Sequence, residues 1–92
     1  MNVLRKDPGK KPEWVDIENT LESLQEAVDG YIEAVTFSRY IVICDEEGRL
    51  KGKEANCNIN GEDFVGSILI VGDDGDDFTD LPEIVAYNLE VQ

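Results

Sequence analysis

Two stretches of this chain, Tyr40–Cys44 and Gly66–Val71, carry apolar residues on both parities instead of alternating with polar ones. A β-strand sends successive side chains to opposite faces of its sheet, so a strand without alternation needs both faces covered. With 92 residues the chain builds one small domain, residues 1–92, and the covering layers must come from the rest of it. The clearest cover is a helix over residues 20–29. Asn19 or Thr20 supplies its N-cap, and Glu22 stands three residues after Asn19 as in a capping box. Leu21, Leu24 and Val28 follow at helical spacing beside Ala27, which puts Glu22 and Glu26 outside, and Gly30 supplies a left-handed stop. One helix of this length covers one face. The other falls to the segment Leu81–Leu89, to a curled hairpin, or to a second copy of the chain. The last option makes the protein a homodimer through a sheet face or edge rather than a monomer, with Trp14, Tyr40 and Phe64 available for contact.

The remaining elements follow from turn chemistry and strand propensity. Met1–Leu4 and Trp14–Ile17 flank Asp7-Pro8-Gly9, a turn signal because proline presets φ and glycine accepts positive φ, so an N-terminal hairpin is expected. Tyr31–Phe37, rich in β-branched and aromatic residues, reads as a strand. Asp45-Glu-Glu-Gly48 reads as a hairpin turn with Arg49–Lys53 as a polar return strand, and Glu54–Asp63 reads as irregular. At the C-terminal end Asp80 is placed to N-cap a short helix, with Leu81, Ile84, Val85 and Leu89 on one side. The expected fold is therefore α+β. A mostly antiparallel sheet of five or six strands is packed by one main helix, with a short C-terminal helix added.

Charge narrows the partners. The net charge is -13, and all eight basic residues lie in the first 53 positions, leaving Glu54–Gln92 with ten acids and no base. Such a surface repels phosphate backbones and anionic lipid headgroups, so neither direct nucleic-acid binding nor a membrane is expected. The positive patch Arg5, Lys6, Lys10 and Lys11 has only Trp14 as an aromatic neighbour and reads as a solvated hairpin tip. No apolar run approaches the ~20 residues of a membrane helix, and the first residues lack the apolar stretch of a signal peptide. A cytoplasmic protein is expected. Cys44 and Cys57 then read as reduced thiols, Cys44 as a small core residue.

Two features invite a chemical reading. Asp73, Asp74, Asp76, Asp77 and Asp80 crowd five carboxylates into one loop, which offers hard oxygen ligands to a divalent cation. Their spacing departs from the calcium-loop pattern around Gly75. The better positional match, Asn56-x-Asn58-x-Asn60-Gly61, lacks the negative charge for tight binding. A solvated acidic turn is the plainer reading, and no metal or other cofactor is expected. Glu33, in a strand with Tyr31, Val35 and Phe37 on its face, is a candidate for partial desolvation and a raised pKa. Its alternative is an ion pair with Arg39, Lys51 or Lys53 from a neighbouring strand. The serines have no histidine to activate them, the chain having none, and no phosphate loop follows a strand, so no catalytic residue is assigned and an enzyme is not expected.

A larger pattern ties these segments together. The hairpin with Pro8-Gly9-Lys10, the helix Leu21–Val28, Gly30-Tyr-Ile-Glu-Ala-Val35 and Asp45-Glu-Glu-Gly-Arg-Leu-Lys-Gly52 come in order. Asn56, Gly66-Ser-Ile-Leu-Ile-Val-Gly72 and an acidic loop into Leu81 complete it. The chain resembles domain-of-unknown-function family 3846, small proteins of Gram-positive bacteria, their phages and mobile elements. The resemblance covers nearly the whole chain and implies a context, with no activity or site residues attached. Three functions stand as expectations. The first is a non-enzymatic protein-interaction module with a protein partner, basic if the acidic surface recruits it. The second is a DNA-mimic inhibitor of the antirestriction kind, built on acids along the helix (Glu18, Glu22, Glu26, Asp29) and in the loop. The third is a weak divalent-cation-binding protein.

Overall fold

The computed structural model describes residues 1–89 and 91. Its elements in chain order are β1 (Asn2–Lys6), β2 (Glu13–Asp16), α1 (Leu21–Val28), β3 (Ile32–Thr36), β4 (Tyr40–Asp45), β5 (Ala55–Ile59), β6 (Glu62–Val65), β7 (Ile68–Asp73), β8 (Phe78–Thr79) and α2 (Glu83–Tyr87). The main sheet has the order β2-β1-β7-β4-β3, every pair antiparallel, with β8 pairing at the end of β7. β5 and β6 form a separate hairpin. The fold is α+β, a mostly antiparallel six-stranded sheet with one main helix and a short C-terminal one.

The two strands without alternation, β4 and β7, lie side by side in the centre of the sheet, and their opposite parities feed two separate cores. Ile41, Ile43, Leu69 and Val71 face Leu24 and Val28 of α1, with Val3 of β1. Val42, Cys44, Ile68 and Ile70 face the other way, against Ile59 and Phe64 of the β5–β6 hairpin and Leu81 and Val85 beside and within α2. The second face is thus covered from within the chain, by a hairpin and the C-terminal segment together. Val91 adds an antiparallel bridge to Ile59. Full burial of each aliphatic side chain in these layers stabilises the fold by about 1.5–3 kcal/mol.

α1 begins as its sequence dictates. The Thr20 hydroxyl accepts the Ser23 N–H at 3.2 Å, and the left-handed residue that closes the helix is Asp29, φ 55°, in place of the expected Gly30. Leu21 departs from expectation, being 59% exposed, because a two-turn helix packs mainly through its i, i+4 row of Leu24 and Val28, with Ala27 beside it. Ile84, 61% exposed, likewise leaves the inner side of α2 to Val85. Asp80 does not cap α2, whose N-cap is Pro82. Its carboxylate instead accepts the Asn2 N–H at 2.7 Å and ties the C-terminal segment to β1.

The segment after β4 differs most from its sequence reading. Arg49–Lys53 is not a return strand. Residues 46–52 coil through successive turns, with Gly48 N–H donating to Asp45 O at 3.1 Å and Lys53 N–H to Gly48 O at 3.0 Å. Glu54–Asp63, expected to be irregular, holds β5 and the first half of β6. Asn60 and Gly61, at φ 49° and 91°, form the two-residue turn with paired positive φ that suits the twist of a hairpin. The asparagines serve the hairpin and its docking. Asn58 Nδ2 donates to Asp63 at 2.8 Å. Asn56 Nδ2 donates to the carbonyls of Lys6 (2.8 Å) and Gly66 (2.6 Å).

Candidate functional site

Three neighbourhoods gather the polar chemistry. The first is centred on Asp45, the last residue of β4, whose side chain is 1% exposed. Its Oδ2 accepts from Lys51 Nζ and Lys53 Nζ, both at 2.8 Å, and its Oδ1 accepts the Glu47 N–H at 2.9 Å. Lys53 Nζ also donates to the Val28 and Asp29 carbonyls at 2.8 and 2.9 Å, and Lys51 Nζ to Asp29 O at 3.3 Å. Two cations thereby satisfy both a buried carboxylate and the terminal carbonyls of α1, where positive charge is favoured. Burial alone would push the Asp45 carboxyl up. The two ammonium groups and the Glu47 N–H outweigh it and hold the carboxyl at about 2. Asp45 in turn pushes the Lys51 ammonium above its ordinary range. Gly30 presses against this centre, and a Cβ there would lie 2.5 Å from the carboxyl carbon of Asp45.

Next to it lies a groove of about 600 Å³ between the outer strand β3, β4 and the β5–β6 hairpin. Val35, Cys44, Phe64 and Val65 give it apolar walls, while Glu33, Glu46, Glu62 and Asp63 place carboxylates around it. Arg49 is the one cation of the rim, and its guanidinium donates to the Asp63 carbonyl at 2.7 Å. Glu33 lies in this groove, exposed on β3 and opposite Cys44 in the register. Exposure removes the desolvation that its sequence reading required. Lys51 and Lys53, proposed as its partners, bond to Asp45 instead. The Cys44 thiol approaches Glu33 Oε1 at 3.8 Å. Burial first, then the Glu33 charge and hydrogen bond, push that thiol up to about 11. Both cysteines are free, and Cys57 is also shifted upward by burial. The buried carboxylate of this region is therefore Asp45. Its only sequence signal was its place at the end of an apolar strand followed by Lys51 and Lys53.

The third neighbourhood is the acidic loop. Asp73, Asp74, Asp76, Asp77 and Asp80 are all exposed. Their carboxylates are largely used in holding the loop. Asp73 accepts the Gly75 N–H (2.9 Å), Asp74 those of Asp76 (3.3 Å) and Asp77 (2.9 Å), and Asp77 that of Phe78 (2.8 Å). Asn19, just ahead of α1, donates to Asp77 Oδ1 at 3.3 Å and to the Phe78 carbonyl at 2.9 Å. The loop is thus fastened to the start of the helix, beside the exposed Glu18 and Glu22. Among the described residues no group of three or more histidine, cysteine or acidic side chains is arranged to hold a metal ion. No described helix is long and apolar enough to cross a membrane.

No curated protein and no solved structure matches this chain. A family profile does, that of Domain of unknown function (DUF3846), over residues 1–91. The match runs from the N-terminal hairpin through the covered strands to the residue that bridges Ile59, taking in every element of the fold. The chain accordingly belongs to domain-of-unknown-function family 3846.

Proposed function

We propose that this protein is a non-enzymatic, cytoplasmic interaction module that recruits a basic protein partner, in the phage or mobile-element setting implied by the family resemblance. The observation that carries this reading is the clamp made by Asn19. It fastens the exposed aspartates of the 73–80 loop to the start of α1, beside the exposed Glu18 and Glu22, so that acids of both segments lie close together. The loop keeps its shape through its own carboxylate–amide bonds, which spares a partner the cost of ordering it. A surface of this kind accelerates encounter with a basic protein and turns away anionic ones. The test is affinity capture from a host lysate at about 50 and 500 mM salt, across which exposed charges go from weakly to strongly screened. Specific basic proteins should be retained at low salt and released at high salt. They should be lost when Asp73, Asp74, Asp76 and Asp77 are all replaced by Asn. An empty or salt-insensitive capture would refute the reading.

The same clamp favours a second reading, a DNA mimic, because it sets the loop carboxylates and the Glu18 and Glu22 carboxylates in one array. Competition with duplex DNA for a purified restriction enzyme separates the two. Displacement of DNA supports mimicry, and its absence leaves the basic-partner reading.

A further inference from the structure

We propose that β3 receives an extended segment of a basic protein as an added strand, with alternate side chains of that segment entering the groove beside Glu33. The inference rests on the interaction reading above and supplies it with a contact site.

The geometry of the sheet edge comes first. β3 pairs with β4 on one side, and among the described residues no strand pairs with its other side. The bonds Glu46 N–H to Tyr31 O (2.8 Å) and Phe37 N–H to Tyr40 O (2.9 Å) fix which residues face β4. With the register Glu33↔Cys44 and Val35↔Val42, the odd-numbered residues exchange hydrogen bonds with β4. The N–H and C=O groups of Ile32, Ala34 and Thr36 therefore point outward, three donors and three acceptors in a row. That is the template used in strand addition. The opposite edge is poorer. β2 is four residues long, follows Pro12, and by the same alternation offers only Trp14 and Asp16 outward.

The groove then decides the occupant. Side chains of an added strand alternate between faces, so those on the Glu33 and Val35 side lie beside the groove. There Val35 and Phe64 offer apolar surface to an aliphatic stem, and Glu33, Glu46 and Glu62 offer carboxylates to its cationic head. Asp45 does not add to this charge, being neutralised by Lys51 and Lys53. A second copy of this chain does not suit the site, because it would bring Glu33 and its neighbours against carboxylates of the same kind. A segment with lysine or arginine at alternate positions does.

The probe is a capped nonapeptide of alternating lysine and valine, with a glutamate-for-lysine peptide as control. Amide NMR spectra of the full chain follow its titration. The lysine peptide should bind saturably, shift and protect the amides of Ile32, Ala34 and Thr36 from exchange, and weaken at least tenfold between about 50 and 500 mM salt. The glutamate peptide should not bind. Ala34→Pro removes an outward N–H without breaking the β4 ladder, so the fold should survive and affinity should fall at least tenfold. The pair Glu33→Lys and Glu62→Lys, both at exposed positions, should do the same. Shifts confined to Trp14 and Tyr87 or to the acidic loop, or equal binding by a folded Ala34→Pro variant, would overturn the β3 site and leave the interaction module standing. No saturable shift up to about 1 mM would overturn the site as well. Joined to an empty lysate capture, it would remove both.

Discussion

Asp45 and the aspartates of the 73–80 loop are the same side chain in opposite circumstances. Asp45 is 1% exposed and accepts from two ammonium groups and a backbone amide. The loop aspartates stand in water and accept mainly from amides of their own turn. Crowding in sequence therefore says little about which carboxylate the fold depends on. A buried ion pair gains little over an apolar replacement of equal shape, yet removal of one partner strands the others without solvent. An exposed acid has water as its substitute partner. The two sites should thus differ greatly under the same substitution.

The largest effect is expected from Asp45→Asn. It leaves Lys53, 17% exposed, facing a neutral amide and also loosens the tie to the end of α1. The expected loss is about 3–5 kcal/mol, much of the stability of a domain this size. Urea unfolding followed by circular dichroism measures it. A loss as small as that of a loop substitution would dissolve the distinction between the two sites.

Gly30→Ala attacks the same centre from the backbone side. The new Cβ would sit 2.5 Å from the carboxyl carbon of Asp45, so the carboxylate must leave its lysines or the chain must shift. A cost of about 1–3 kcal/mol is expected, as for other overpacked sites. The cycle with Asp45→Ala sharpens the point. If the clash with the carboxylate is the cause, the double substitution should cost less than the sum of the single ones.

Acid separates the sites without mutation. The Asp45 carboxyl titrates at about 2 in the folded chain, against an ordinary value of 3.8. A carboxyl depressed by folding stabilises the native state above its unfolded pKa, and the contribution fades as pH falls through the folded one. The Asp45 share should disappear between about pH 4 and pH 2. Stability curves of the wild type and of Asp45→Asn should converge over that interval, and parallel curves would assign the acid sensitivity to other carboxyls.

How much of this was legible depended on how far apart in sequence the partners lie. Helix α1 carries its start and its buried row locally in Thr20, Leu24 and Val28, while its left-handed end falls on Asp29 and not on the expected Gly30; β4 and β7 announce two-sided burial by composition alone. Asn60-Gly61 also carries a hairpin signal. It was masked because Asn56 and Asn58 disfavour strands, and the packing of Ile59 and Phe64 onto the sheet overrides that preference. The parity of Glu33 with Val35 was readable, whereas its exposure on an outer strand depends on sheet order. The Asp45 centre was the least legible. Nothing local tells Lys51 and Lys53 to turn away from a strand and reach both Asp45 and the carbonyls of Val28 and Asp29.

The smallest effect should come from the loop, where the most carboxylates are changed. Replacing Asp73, Asp74, Asp76 and Asp77 by Asn keeps a side-chain oxygen at every position that accepts a turn amide, so the hydrogen bonds to Gly75, Asp77 and Phe78 have acceptors still. It also removes four like charges from one short exposed segment. Exposed substitutions of this kind change stability within about 0.5 kcal/mol each, and the lost repulsion opposes the lost charge-assisted bonding. The fourfold variant should therefore melt close to the wild type at moderate salt. At low salt, where the aspartates repel over a longer range, it should melt slightly higher. Melting curves at about 20 and 500 mM salt give the answer. A fourfold variant destabilised as much as Asp45→Asn would mean that the loop carboxylates hold the fold rather than display charge, and the acidic surface would lose its standing as a recruitment site.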